Sequence, residues 1–180
     1  MDNKRYLKDN KGYSLIELVI VIAIIALIIS TVFYSLVMVF SANAKSCAND
    51  IQRAIADCKV TTMGKSSAYM ELYRDTDQNV YTRMYVRDSS GTYVPSEPQQ
   101  VGSSRVYVAY TPKGGAETEL STGTGNNKIE IWFDRASGGF TKDGSGNIYE
   151  MLRVQGGSKN YEIVLTELTG KSEVNLVTGP

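Results

Sequence analysis

The sequence predicts an α+β fold: one long N-terminal α-helix, apolar in its first half and amphipathic in its second, packed on a C-terminal antiparallel β-sheet. Three observations carry this. Leu18 to Phe40 is almost wholly apolar. No proline or glycine interrupts the run from Tyr13 to Met63. After Gly64 the apolar period changes from 3.6 to 2. The segments expected are a leader (1–12), a membrane-spanning half-helix (13–40), an amphipathic half-helix (41–63) and a β-rich head (64–180).

Composition narrows the function. The chain has 180 residues, a formal net charge of zero and no histidine. It shows no electrostatic footprint for nucleic acid. It lacks the commonest general base and metal ligand, and with them Ser-His and Cys-His nucleophile pairs. Glu71, Glu130, Glu150 and Glu162 fall on separate expected strands, with nothing to pair them for acid–base work. An enzyme is not expected.

The leader carries Lys4, Arg5, Lys8 and Lys11 against Asp2 and Asp9. The positive-inside rule keeps this end in the cytoplasm and sends the head across. Leu18 to Phe40 then spans about 34 Å as a helix, enough for a hydrocarbon core of about 30 Å. Ser30, Thr31 and Ser35 are tolerable there because a hydroxyl bonds a carbonyl one turn back. A secretory signal core is only about 7–15 residues long, although Ala42-Asn43-Ala44 imitates its cut site. A plain signal anchor fits the hydropathy but gives no reason for Glu17, a carboxylate at the head of a membrane helix.

Ser41 to Thr62 is amphipathic. Ala44, Cys47, Ala48, Ile51, Ile55 and Cys58 share one face at 100° per residue, and Gly64 suits the residue just past the end. The whole helix, Ser14 to about Met63, is roughly 75 Å long. Cys47 and Cys58 lie roughly 16 Å apart along it, too far for a disulfide, which needs Cα atoms within about 7 Å. They read as buried small hydrophobes.

The head reads as about six to eight strands in one sheet. Expected strands are 68–73, 80–87, 105–110, 128–133, 148–154, 161–168 and 171–177, with Pro95, Pro98 and Pro112 between strands. Asp75-Thr76-Asp77-Gln78-Asn79 has the opening spacing of a calcium loop, but Val80 and Val86 stand where the loop needs Gly and Glu. A strand-to-strand turn is the plainer reading. So Asp75, Asp77 and Asn79 are weak metal candidates, calcium is the one cofactor considered, and none is expected. Asp143 to Asn147 could donate oxygens likewise, but with so few carboxylates it reads as a turn. Tyr81, Tyr85, Tyr107 and Tyr110 suggest an aromatic face, although tyrosine is favoured in half-buried strands anyway.

The charged leader ending at Gly12, then Tyr13-Ser14-Leu15-Ile16-Glu17 and the apolar run, resembles the N-terminal signal of type IV pilins and the pseudopilins of type II secretion systems. The resemblance implies cleavage between Gly12 and Tyr13 by a prepilin peptidase and N-methylation of Tyr13. It implies that Glu17 pairs with the N-terminal amine of a neighbouring subunit. The partners it implies are other pilin subunits, that peptidase, an inner-membrane assembly platform and the membrane itself. The protein would sit in the cytoplasmic membrane before assembly and in a pilus or pseudopilus after it. Pilins mostly begin with phenylalanine, for which Tyr13 is a conservative change; major pilins often carry a helix proline that is missing here, which leans toward a minor pilin or pseudopilin, or a different lineage. Ile129 to Phe133, Gly138-Gly139-Phe140 and Leu168-Thr169-Gly170-Lys171 are similar to the C-terminal part of GspH/FimT-like minor pilins. The alternative is a membrane-anchored binding domain that does not assemble.

Overall fold

The computed structural model describes residues 14–64, 66–122 and 127–177. The chain divides into two compact units, Met1–Leu36 and Val37–Pro180. Helix α1, Leu15–Gly64, contributes to both. Its bounds differ from expectation by one residue at each end, and Gly64 closes the helix rather than following it.

In the first unit the large apolar side chains from Leu15 onward are exposed. The helix is long and apolar enough to cross a membrane. Ser30 and Thr31 donate their hydroxyls to the carbonyls of Leu27 and Ile28, each at 2.8 Å. The backbone carbonyl thus absorbs the one polar group each side chain carries.

In the second unit, the helix buries Ala44, Cys47, Ala48, Ile51, Ile55, Cys58 and Thr62. Six of these seven are the stripe read from periodicity. Thr62 joins because its hydroxyl finds the carbonyls of Cys58 (2.9 Å) and Ala68 (3.1 Å).

Among its described residues the head has eleven strands in two antiparallel sheets, not one sheet. The first holds β1 (Ala68–Arg74), β2 (Val80–Arg87), β3 (Tyr93–Pro95), β4 (Gln99–Gly102), β7 (Lys128–Phe133) and β8 (Phe140–Thr141). Its order is β3-β2-β1-β7-β8, with β4 also on β2. The second holds β5 (Tyr107–Pro112), β6 (Thr118–Glu119), β9 (Tyr149–Gly156), β10 (Lys159–Thr166) and β11 (Lys171–Val177), in the order β11-β10-β9-β5-β6. Pro95 and Pro112 end strands instead of lying between them; Pro95 belongs to a three-residue edge strand and Pro112 sits at a register shift.

One core joins all three layers. Met70, Leu72, Ile129 and Ile131 of the first sheet meet Leu152, Val154, Ile163 and Leu165 of the second and the helix stripe. Each fully buried leucine or isoleucine contributes about 1.5–3 kcal/mol. Small residues let the layers close up. A side chain at Gly156 would stand 2.7 Å from the Phe40 carbonyl and 2.9 Å from the Ala44 methyl, so only glycine lets β9 lie this near the helix.

Candidate functional site

Ser14 precedes the first turn of α1. Its hydroxyl accepts the Glu17 amide N–H at 3.2 Å, and the Glu17 Oε2 accepts the Ser14 amide N–H at 2.8 Å. This reciprocal pair is a capping box. It satisfies two of the amide donors that a helix start leaves free, and it puts a negative charge at the positive end of the helix dipole. Glu17 therefore has a local structural role as well as the one the resemblance implies. The Ser-x-x-Glu spacing is the sequence signal of this box. Gly12 and Tyr13 lie outside the described residues.

Residues 7–33 match the family model of the prokaryotic N-terminal methylation motif. Over these residues the chain is type IV prepilin-like. The motif's family is structural rather than enzymatic, and it implies N-terminal processing and assembly with other pilins. The apolar helix that carries the motif is long and apolar enough to anchor the chain in a membrane, as the motif also suggests. No characterised protein and no solved structure matches the chain.

The head places the other candidates as follows. Asp75 Oδ1 accepts the Asn79 amide at 2.7 Å, and Asn79 Oδ1 accepts the Ser104 amide at 3.1 Å. Asp75 thus spends an oxygen on the β1–β2 turn and Asn79 ties that turn to the β4–β5 connection, while Asp77 is exposed at the turn's tip. Asp143 serves the next strand connection alike: Oδ1 accepts the amides of Ser145 (2.9 Å) and Asn147 (2.8 Å), and Oδ2 accepts the Tyr149 hydroxyl (2.8 Å). Among the described residues, no group of three or more His, Cys, Asp or Glu is gathered as a metal site would need. Cys47 and Cys58 are free and buried, and burial pushes both thiols up to about 12.

The four tyrosines singled out in the sequence do not form one face. Tyr81 and Tyr85 lie on the first sheet, Tyr107 and Tyr110 on the second. A different set meets across the outer face of the first sheet. Tyr69 stacks between Tyr85 (centroids 4.6 Å) and Trp132 (4.2 Å), and Tyr93 stands edge-on to Tyr69 and Trp132. The register explains it, because Tyr69 pairs with Tyr85 on one side and Trp132 on the other. Both faces of Tyr69 are covered, so this row offers no open central ring to a ligand. Burial first, then the carboxylate of Glu130, pushes the Tyr69 phenol up to about 12.

Proposed function

We propose that this chain is a structural subunit of a type IV pilus or type II pseudopilus, of the minor kind. Cleavage after Gly12 frees the amine of Tyr13, which is then methylated, and Glu17 pairs with the amine of a neighbouring subunit. The observation that carries the reading is a carboxylate at the head of an exposed apolar helix under a methylation motif. In hydrocarbon such a charge costs about 2.5–3.5 kcal/mol at mid-membrane and less near the end. A cap contributes only about 1 kcal/mol, so the opposite charge of a neighbour's amine offsets what the cap leaves. The head faces outside and the leader faces the cytoplasm. The minor, GspH/FimT-like assignment is supported by the Gly138-Gly139 loop seated against the Glu167–Gly170 turn.

The test separates charge from cap. Glutamine closes a capping box as glutamate does, but carries no charge. Glu17→Gln and Glu17→Ala should both be cleaved, giving a mass that begins at methylated Tyr13, and both should enter filaments at least about tenfold less often. Normal incorporation of Glu17→Gln would leave the carboxylate only its capping role. A mature protein still beginning at Met1 would point instead to an anchored domain that does not assemble.

A further inference from the structure

Strand β7 is covered along only part of one edge. On one side it pairs with β1 from Lys128 to Trp132; on the other, β8 reaches only Trp132 and Phe133. Alternation in an antiparallel ladder says where each main-chain group points. The Arg74 amide donates to the Asn127 carbonyl (2.8 Å), so 127, 129 and 131 face β1. The Asp134 amide donates to the Gly139 carbonyl (2.8 Å), so 134, 132, 130 and 128 face the other way. The N–H and C=O groups of Lys128 and Glu130 therefore point off the edge, and no partner meets them among the described residues.

A strand's place lies open beside them. Extending the β7–β8 register sets residue 143 opposite Glu130 and residue 145 opposite Lys128. The chain leaves that path because the Asp143 carboxylate gathers Ser145, Asn147 and Tyr149 into a turn. A cleft of about 380 Å³ results, lined by Lys128 to Glu130, by Tyr110, Pro112 and Tyr149, and by polar residues that include those of the 143–147 turn.

We propose that this cleft binds an extended peptide segment of a partner protein as an added strand. Donor and acceptor pairs repeating about every 6.8 Å along an edge are matched by an extended main chain. The occupant's two residues opposite Glu130 and Lys128 make the main-chain bonds. The residue between them turns to the Ile129 side, where the tyrosine and proline wall suits an apolar side chain. The site is independent of the proposed filament role.

The probe is the acetylated, amidated peptide Thr-Thr-Val-Thr-Thr added to the full chain in detergent micelles, with amide exchange read at Lys128 and Glu130. Exchange at both should slow by about tenfold or more. The same peptide N-methylated at its second and fourth residues lacks the donors and should give no protection. Glu130→Pro removes an edge-facing N–H without touching the ladder to β1, but also the carboxylate that meets the Lys128 ammonium and the Trp132 indole, so Glu130→Ala is its control: protection at Lys128 should be lost in the first and kept in the second. Absence of protection by the first peptide, equal protection by the methylated one, or unchanged binding to a folded Glu130→Pro overturns the proposal. So would equal protection by a disaccharide such as maltose.

Discussion

Arg74 enters the interior at the end of β1 and is met by carbonyl oxygens. Its Nε donates to Leu120 (2.8 Å), one terminal nitrogen to Gln78 (2.6 Å) and the other to Val106 (2.9 Å). The planar fork reaches three loops at once, which an ammonium cannot do. Burial lowers its pKa, yet it stays charged. Arg74→Ala strands two buried acceptors and a part-buried one and should cost about 3 kcal/mol, with Arg74→Lys recovering part, as read by urea unfolding of the chain in micelles. The cysteines make a second case at this scale. Thiolate is the reactive form, and burial disfavours it at Cys47 and Cys58. At pH 8 a maleimide should label neither thiol in the native chain and both in denaturant, with rates differing by more than about a hundredfold. Native labelling of either would mean the stripe opens readily.

At the scale of elements, aspartates begin the turns. Asp88 Oδ1 accepts the amides of Ser90 (2.8 Å) and Thr92 (2.9 Å), and Asp134 Oδ2 accepts the Ser137 amide at 2.9 Å. Hydrogen bonds, first from the serine hydroxyls and then from these amides, hold both carboxyls below the usual carboxylate range. A depressed native pKa means stability that is present above the unfolded value, about 3.9, and lost as the pH falls through the native one. The two turns should therefore loosen below about pH 4. Amide exchange at Ser90, Thr92 and Ser137 should quicken there, and in Asp88→Asn the Ser90 and Thr92 amides should lose that acid step. The helix shows the opposite economy. Its buried stripe was legible because 3.6-residue periodicity is a local property, and the capping box was equally local.

Across the whole molecule, the two sheets and the helix are joined at the glycine turns. The Phe140 amide donates to the Glu167 carbonyl (2.8 Å), and Lys59 Nζ donates to the Thr169 carbonyl (2.6 Å). Gly170 has φ of 58°, and a side chain there would strike the Gly138 carbonyl. Gly170→Ala pays for a left-handed backbone, about 1–2 kcal/mol, and then for the collision. A loss of about 2 kcal/mol or more should lower the melting temperature by roughly 5 °C. An unchanged melting temperature would show the joint to be loose.

This joint also shows where sequence reading stops. The loops 138–140 and 168–171 were visible as glycine turns, but that they touch follows from β8 lying in one sheet and β10 in the other. Sheet membership was not legible either. β1 pairs with β7 across more than fifty residues of chain, and β6 and β8 are two residues long, too short to show a period. The tyrosine row failed for the same reason, since register alone brings Tyr69, Tyr85 and Trp132 together. Glu17 stands at the other extreme. The sequence by itself determined the anchor, the methylation motif, the helix stripe and the α+β class, because each is written in neighbouring residues. The tertiary structure alone decided the two-sheet head, the buried Arg74 and the open edge of β7, because each depends on which distant strand arrives beside which.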